Sequence, residues 1–452
     1  MDTPSSSVSS AATSSLLYGL EDRLPFGTAL LVSLQQVSAM IVGTITPPLI
    51  VAGVLGLSPS DTAYTVSMAF LASALGTLLQ TLRPGPIGSG LLSVTGTSFS
   101  FLQPLIAAGK IGGLPLMLGM AVSTAPLQLL LAPLLPRLRH VFTPLVSGVV
   151  VLLIGLSLIP SAMIGIGAPV TPGAPIWSGA LVAVGVLGIL VAAQAIGKPW
   201  ARLGGVIFGV LFGYGLCAAF GWLNAPPPSE AGGWVWPRLN PHGLAFRWEL
   251  ALPFLFIYFV SLLEAMGDMT ATSQLSGLPT EGPQHWARLR GGILADGLTS
   301  LISGLCGAFP STTYAQNNGV IQITGVASRR IGPIMAAILA LLGVVPAVGR
   351  WVTVMPPPVL GALALLLFGL VAVSGLRLIA TPGIGHREAV IVAVSLGVGL
   401  ALPTATDWLA KLPFALRAVL ESGIATGGMT ALGLNLILRK TLPAESVAAA
   451  PQ

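Results

Sequence analysis

Charged residues are scarce in this chain of 452 residues. Asp, Glu, Lys and Arg together make up 8% of it, whereas ordinary globular domains carry roughly 25%. Hydrophobic residues make up 54%, and the mean hydropathy is +0.89. This balance excludes a soluble enzyme, a nucleic-acid-binding protein and a disordered tail protein. Because a membrane span takes about 20 apolar residues and a short loop, the chain can hold a dozen spans or more.

Cysteine and histidine are also rare. The two cysteines, Cys217 and Cys306, lie in apolar surroundings and offer neither a disulfide framework nor a metal-ligand spacing. The four histidines fall in predicted loops: His140, His242, His285 and His386. We therefore predict no metal site and no cofactor. The chain also shows no nucleophile with its base, which argues against an intramembrane enzyme.

Fourteen apolar segments follow residues 1–25, which lack the apolar core of a signal peptide and are interpreted as a flexible cytoplasmic tail. Most segments are expected to be helices, because the runs are too long for barrel strands. The predicted spans are 26–48, 61–82, 90–108, 113–135, 143–164, 176–197, 203–222, 249–273, 288–307, 311–326, 331–349, 356–376, 386–404 and 416–438.

The distribution of basic residues supports this map. With the N-terminus in the cytoplasm, fourteen of the 20 Lys and Arg residues lie in inner loops and the other six in outer loops. An excess of Lys and Arg inside is typical of cytoplasmic loops. The split therefore favours an even number of spans, with both termini, including the tail 441–452, in the cytoplasm.

Two predicted segments are short and interrupted. Residues 91–100 and 309–319 are each expected to begin extended and to end as a half-helix. The first and eighth spans are predicted to break at 44–48 and at 267–268. In both pairs the partners are separated by about half of the chain. Paired interruptions of this kind are typical of a transporter whose site lies between inverted repeats.

Glu264 and Asp268 are the main candidates for chemistry, because a charge inside a span is costly and marks a functional site. Four residues apart on a helix, they share one face. Two such carboxylates in a site of low dielectric should not both ionise easily, which is what a proton-coupled carrier needs. Asp296 in the ninth span is a further candidate, although neighbouring groups can equally satisfy a carboxylate there.

The polar stretch 314–318 indicates a binding site within the tenth segment. Gln316 offers two donors and an acceptor, which match an imide or amide edge. The N–H groups of the half-helix that starts there are expected to face a ligand carbonyl or anion. The N–H groups of the half-helix after Gly96, near Ser98, are expected to face the ligand from the opposite side. Phe99 can stack on a ligand ring or serve in packing.

A motif in the tenth segment consists of Gln316-Asn317-Asn318-Gly319 and, after four residues, Thr324-Gly325. It matches the complete signature of the nucleobase–ascorbate transporters, also called nucleobase:cation symporter family 2. The stretches 290–329 and 88–99 resemble those of bacterial xanthine and uric acid permeases in particular. The resemblance covers most of the chain. It implies an all-α polytopic membrane protein of the bacterial inner membrane, with 14 transmembrane segments in a 7+7 inverted repeat and short extended stretches in segments 3 and 10.

The resemblance also implies two domains. A core domain, formed by 26–141 and 249–350, holds the substrate, and a gate domain, formed by 142–248 and 351–440, mediates homodimerisation. In such proteins the carboxylate at Glu264 binds the ring nitrogens of the substrate and the side chain at Gln316 binds the adjoining edge. Backbone near Ala315 and near Ser98 and Phe99 completes the pocket. Three further residues match positions that matter for binding or coupling: Asp268, Asp296 and Asn317.

The chain departs from the family pattern at two places. The first span carries Gln35-Gln36 where the family often has Gln-His. Since Gln36 cannot titrate, any proton relay must depend on the three carboxylates; Gln36 and Tyr314 remain further candidates for the site. Thr95 occupies a position where xanthine-selective relatives can have an amide. Because threonine is shorter, we hypothesise a preference for uric acid, with xanthine also a substrate.

The leading hypothesis is therefore a secondary transporter that takes up an oxidised purine together with protons by alternating access. Its partners are the purine, the proton and the lipid bilayer, and no nucleic acid is expected. Alternatives are a permease for uracil or another nucleobase, a sulfate-type anion carrier of similar architecture, and a channel. A carboxylate at Glu264 argues against the anion carrier, since it repels anions. Broken helices with mid-membrane binding groups favour alternating access over an open pore.

Overall fold

A computed structural model describes residues 16–138, 143–171, 173–196, 198–223, 234–314, 316–380, 383–409, 411–412, 416–417 and 420–441. These residues are mostly helical, and eight of their helices are long and apolar enough to cross a membrane. The chain is therefore an integral membrane protein.

The helices and strands follow one another with short connections. In chain order they are α1 Phe26–Leu55, α2 Pro59–Leu82, β1 Thr95–Thr97, α3 Leu102–Thr124, α4 Pro126–Leu131, α5 Leu135–Leu138, α6 Pro144–Gly167, α7 Ser178–Ala195, α8 Pro199–Ala219, α9 Trp248–Leu275, α10 Gly282–Leu305, β2 Ser311–Thr313, α11 Gln316–Thr324, α12 Gly332–Val344, α13 Pro346–Thr353, α14 Pro357–Ala380, α15 His386–Ala401, α16 Thr406–Leu409 and α17 Gly423–Thr441. A single 3₁₀ turn, Phe99–Phe101, precedes α3.

Both interrupted segments have the predicted form. β1 is followed by the 3₁₀ turn and α3, and β2 is followed by the short helix α11. The backbone of α3 is non-helical at Gly112 and Gly113, where φ is −145° and +64°. This kink coincides with the predicted gap between the third and fourth spans.

The predicted break in the first span is wrong, because α1 runs without interruption through Pro47 and Pro48. A proline has no N–H, so Pro48 leaves the carbonyl of Thr44 without its helical donor. The hydroxyl of Thr97 donates to that carbonyl instead, at 3.1 Å. A proline is tolerated in a membrane helix when a neighbouring side chain satisfies the freed carbonyl in this way.

The predicted break in the eighth span is also wrong, since α9 continues through Gly267 and Asp268. A single glycine costs a helix only about 1 kcal/mol, which packing readily outweighs. Two histidines also lie outside their predicted loops: His285 is in the first turns of α10, and His386 begins α15. His140 lies outside the described residues.

Two groups of helices pack within the molecule. In one group, α2 contacts α1, α10, α12 and α13, and α3 contacts α9 and α10. In the other, α6 packs along α14 and also contacts α17, α17 packs on α15, and α7 contacts α8 and α14. At the α6–α14 contact, a Cβ added to Gly148, Gly155 or Gly375 would press on the backbone of the facing helix. Small residues thus let these two helices approach closely, as is typical of packing in membranes.

Residues 16–23, here called the N-terminal strap, lie against the chain that follows α11. Tyr18 forms a parallel bridge with Val326, and the N–H of Leu17 donates to the carbonyl of Gly325 at 2.8 Å. Further along, Arg329 donates to the Glu21 carboxylate at 2.6 Å. This part of the predicted tail 1–25 is therefore tied to the end of the half-helix α11.

We predict that Gly325→Ala loosens the strap. Gly325 has a φ of +66°, and an added Cβ would meet the side chain of Leu17. A non-glycine residue in this left-handed conformation costs roughly 1–2 kcal/mol, so thermal unfolding of the detergent-solubilised protein should occur at a lower temperature. In the control Gly397→Ala, the added Cβ meets nothing within 4 Å. An equal unfolding temperature for both variants would contradict the prediction.

Candidate functional site

The two interrupted segments meet in an antiparallel pair of three-residue strands. Thr95 pairs with Thr313, Gly96 with Thr312 and Thr97 with Ser311. The N–H of Ser98 donates to the carbonyl of Pro310 at 2.9 Å, which extends the pairing by one residue. Each strand leads directly into the N-terminus of a helical segment. Because the first N–H groups of a helix have no partner within it, this junction gathers unpaired donors and two positive dipole ends.

Glu264 of α9 faces the first of these N-termini. Its carboxylate accepts a hydrogen bond from the Ser100 hydroxyl at 2.9 Å, and its side chain is half-buried. Asp296 and Tyr314 both lie close enough to interact with it electrostatically. Glu264 is thus the partly accessible acid of the junction.

Tyr314 fixes the strand pair from the side of β2. Its N–H donates to the carbonyl of Val94 at 2.9 Å, and its hydroxyl donates to the carbonyl of Thr97 at 2.8 Å. The ring lies directly over Gly96, where an added Cβ would collide with it. Glycine is therefore required at this position of β1 because the Tyr314 ring approaches the backbone closely.

Asp268 lies one turn after Glu264 on α9 and is buried. Its backbone carbonyl accepts from the Thr272 hydroxyl at 2.8 Å and from the side-chain amide of Asn318 at 3.5 Å. The Thr272 hydroxyl also lies within hydrogen-bond distance, 2.7 Å, of the Asn318 side-chain oxygen. These contacts attach the half-helix α11 to α9 beside the two carboxylates.

Asn317 and Gln36 join α11 to α1. The Asn317 amide donates to both the backbone carbonyl and the Oε1 of Gln36, at 3.0 and 2.6 Å. Both side chains are buried. Gln36, which replaces the histidine of the family pattern, therefore acts here as a neutral acceptor that positions Asn317.

Asp296 of α10 is buried and is held by Gln80 of α2. The Gln80 amide donates to Asp296 Oδ1 and to the carbonyl of Gly292, both at 2.9 Å, while its Oε1 accepts from the N–H of Ser89 at 3.0 Å. Both N–H groups and the oxygen of the Gln80 side-chain amide thus face partners of the correct type. Asp296 is therefore fixed at one oxygen by a residue from another helix.

Several buried polar atoms around the junction have no hydrogen-bond partner among the described residues. They are Gln36 Nε2, Thr95 Oγ1, Ser98 Oγ, Asp296 Oδ2 and Asn317 Oδ1. Buried polar groups without a partner are uncommon and costly in native proteins. Their concentration beside two helix N-termini indicates a site that is completed by water, a proton or a ligand.

Phe99 closes the junction on the side of α14. Its ring is 5% exposed and packs edge-to-face on Phe368, with ring centroids 5.3 Å apart. Thus Phe99 connects the strand pair, which belongs to the first group of helices, with α14 of the second group. An aromatic pair in this geometry stabilises packing by roughly 0.5–1.5 kcal/mol beyond area burial.

Most residues predicted for the site lie at this junction. Those described are Glu264, Ser98, Phe99, Thr95, Asp268, Asp296, Asn317, Gln36 and Tyr314. Gln316 begins α11, but its side chain and all of Ala315 lie outside the described residues. Within the described part of the chain, no three His, Cys, Asp or Glu side chains are arranged to hold a metal ion.

Sequence reasoning missed Ser100 and Gln80. Ser100 directly follows the stretch 96–99 that carried the resemblance, so extending that stretch by one residue would have included it. Gln80 is an amide near the end of the predicted second span, and a polar residue within an apolar segment is a usable signal. Its partner, Asp296, is 216 residues away in sequence, and the pattern alone does not pair them.

We predict that Gln80→Met destabilises the protein although methionine is similar in size. The change leaves Asp296 Oδ1 and the N–H of Ser89 without the Gln80 side chain as a partner, and each such buried group costs about 1–3 kcal/mol. Thermal unfolding in detergent should shift to lower temperature. Gln274→Met, at an exposed position of α9, is the matched control and should unfold like the wild type. A Gln80→Met protein as stable as this control would show that the network contributes little.

Comparison with known proteins assigns the chain to a family. Residues 27–408 match a family described as the Permease family. The chain is 40% identical to the xanthine permease XanP of Escherichia coli, over 95% of this chain and 96% of that protein. It is 41% identical to the xanthine permease XanQ of Escherichia coli, over 94% of each, and 31% identical to a purine permease of Emericella nidulans, over 95% of this chain and 85% of that one.

Solved structures of the same fold come from anion transporters. Murine Solute Carrier 26 family member A9 in the inward-facing state matches with a TM-score of 0.60 and 13% identity, over 97% of this chain and 74% of that one. The transmembrane domain of the cyanobacterial bicarbonate transporter BicA matches with a TM-score of 0.51 and 14% identity, over 92% and 99%. At such identities the likeness concerns the fold alone. From the family match and the permease relatives, we conclude that the chain belongs to the nucleobase–ascorbate transporter family.

Proposed function

We propose that the protein is a secondary active transporter that carries an oxidised purine, uric acid or xanthine or both, into the bacterial cell by proton-coupled symport. The observation that carries the proposal is the contact of Glu264 with Ser100 at the junction of two helix N-termini. An acid beside aligned N–H donors is complementary to a flat heterocycle that presents ring N–H groups next to carbonyl oxygens. The names of the bacterial relatives, xanthine permeases, support this class of substrate.

In the proposed complex, the Glu264 carboxylate accepts N–H groups of the purine. The N–H groups at the start of the Phe99–Phe101 turn and of α11 donate to the carbonyl oxygens of the purine, as helix N-termini do to anionic and polarised oxygens. Gln316, at the first position of α11, is expected to bind the adjoining edge. The half-buried state of Glu264, in contrast to the buried Asp268 and Asp296, agrees with a direct role in binding.

The proton coupling is assigned to the carboxylates. Glu264, Asp268 and Asp296 lie near one another, and a site of low dielectric resists carrying several negative charges together. Binding of a proton at this cluster removes one charge, and release of the proton on the other side of the membrane restores it. Since Gln36 cannot titrate, it contributes by positioning Asn317 at 2.6 Å.

The proposed transport cycle is alternating access in a molecule of fourteen spans. We assign the group containing α1–α3 and α9–α12 to the substrate-holding core and the group containing α6–α8, α14, α15 and α17 to the gate, which also forms the homodimer. The most extensive helix contacts, those of α2 with α12 and of α6 with α14, fall within the groups and support the assignment. Both termini are proposed to lie in the cytoplasm, with the core moving against the gate across contacts such as that of Phe99 and Phe368.

We predict that Glu264→Gln abolishes uptake, because an amide replaces one of the two acceptor oxygens of the carboxylate with a donor and cannot carry the coupled proton. Uptake of radiolabelled xanthine, urate, uracil and ascorbate is measured in cells, with the amount of protein in the membrane as reference. Glu249→Gln, at an exposed position in the first turn of the same helix, should retain uptake that a protonophore abolishes.

Normal uptake by Glu264→Gln would remove this residue from the site. A panel in which uracil alone is taken up would favour the alternative of a uracil permease. Strong inhibition by sulfate would favour an anion carrier, and uptake that neither saturates nor responds to the protonophore would indicate a channel.

The proposed preference for uric acid depends on Thr95. Its Oγ1 has no partner among the described residues, and its methyl group lies against Gly76, where an added Cβ would come within 2.7 Å. We predict that Thr95→Asn lowers the ratio of urate uptake to xanthine uptake by filling space near the substrate ring. Thr95→Val, which keeps the shape and removes the hydroxyl, separates the effect of size from that of polarity. An unchanged ratio in Thr95→Asn would refute this role of Thr95.

A further inference from the structure

A cavity of about 390 Å³ lies between the two groups of helices, away from the strand pair. Its walls come from the start of α6, the second half of α9, the start of α10 and the end of α14. The residues that line the cavity do not include Glu264, Ser100, Asp296 or any residue of the two strands. Its volume falls within the range of roughly 300–1,000 Å³ of ligand pockets. The cavity is therefore separate from the site described above.

The cavity adjoins α9 at the same level as that site but on another face of the helix. Met266 and Gly267, which line it, lie between Glu264 and Asp268 in sequence, and Thr270 lies one turn further on. A Cβ added to Gly267 would meet the side chains of Leu378 and Ser147, at 3.2 and 3.9 Å. Because Gly267 has no side chain, the cavity remains open on the face of α9 where the two helix groups meet.

His285 gives the cavity a polar group that the protein leaves unsatisfied. The residue is 4% exposed, and its Nε2 lies 3.4 Å from the hydroxyl of Thr270. Its Nδ1 is buried and has no hydrogen-bond partner among the described residues. A buried ring nitrogen without a partner is uncommon in native proteins. The hydroxyl of Ser147 and the carboxylate of Glu281 also belong to the lining.

The remaining lining is apolar and partly aromatic. Trp286 is half-buried, and its ring lies edge-on to that of His285 with centroids 6.0 Å apart. Met266, Leu289 and Leu378 complete this side. A few polar groups that converge within an apolar and aromatic wall are typical of a site for a small flat molecule. Histidine and hydroxyl groups can each donate or accept, as the alternating N–H and C=O edge of an oxopurine requires.

We propose that this cavity is a second, weaker subsite for the transported heterocycle, in which His285 and Thr270 bind its polar edge and Trp286 covers its ring. The inference builds on the proposed function and adds a stage to it. The purine leaves the Glu264 site along α9 and pauses beside His285 before it reaches the surface. In the proposed topology, the start of α10 and the ends of α9 and α14 lie on the cytoplasmic side, so the subsite serves release into the cell.

The experiment measures equilibrium binding of radiolabelled xanthine and urate to the purified full-length protein in detergent. Wild type should bind a second molecule at high concentration, with an affinity weaker by roughly tenfold or more, equivalent to about 1.4 kcal/mol or more. Glu264→Gln should lose the tight component and keep the weak one. In the Glu264→Gln chain, adding His285→Ala should remove the weak component.

Leu378→Trp, also added to the Glu264→Gln chain, fills the cavity without touching the hydrogen bonds of His285 and should likewise remove weak binding. Gln274→Ala, on the same helix outside the lining, should leave it intact. Thermal unfolding verifies that each variant is folded. Absence of weak binding in the folded Glu264→Gln protein, or weak binding that survives both His285→Ala and Leu378→Trp, would overturn the subsite. A wild type that binds none of the purines would contradict the proposed function itself, and the subsite with it.

Discussion

The pairing of Thr95–Thr97 with Ser311–Thr313 is the constraint on which the rest of the site depends. An interrupted segment in a membrane protein exposes N–H and C=O groups that lipid cannot satisfy. The two interruptions satisfy each other through the strand pair and through the bond from Ser98 to Pro310. As a consequence, two helical segments from distant parts of the chain begin at the same place. Their N-termini are held together because the strands that precede them cannot move apart without losing backbone hydrogen bonds.

The strand pair also explains how neighbouring helices keep polar groups inside an apolar molecule. The hydroxyl of Thr97 supplies the donor that Pro48 withholds from the carbonyl of Thr44, so α1 remains helical beside the pair. The hydroxyl of Tyr314 returns to the carbonyl of Thr97. On the outer sides, Asn317 contacts α1 and Asn318 contacts α9. Several polar groups that the interruptions introduce thereby attach neighbouring helices to the strand pair.

The sequence alone predicted the membrane class, the two extended stretches and most of the residues that meet at the junction, because these depend on apolar run length, on local polarity and on a motif. It failed at Pro47 and Pro48, where the local rule for proline predicts a break and a distant threonine prevents it. It also missed Gln80, whose importance depends on a contact with Asp296 far along the chain. For the prolines and for Gln80 the deciding contact is tertiary, and the local pattern contains no record of it. His285 was assigned to a loop because the predicted ninth span begins at residue 288, whereas α10 begins at Gly282.

Because the fold is shared with anion transporters, we propose that the choice of substrate comes from the charges at the junction. Helix N-termini alone favour an anion. Here Glu264 occupies the position in front of the first N-terminus, with Asp268 and Asp296 nearby. A carboxylate that offsets the two dipole ends disfavours a free anion and favours a molecule that brings N–H donors to the acid and carbonyl oxygens to the helices. An oxopurine has this alternation along one edge, and a small inorganic anion does not.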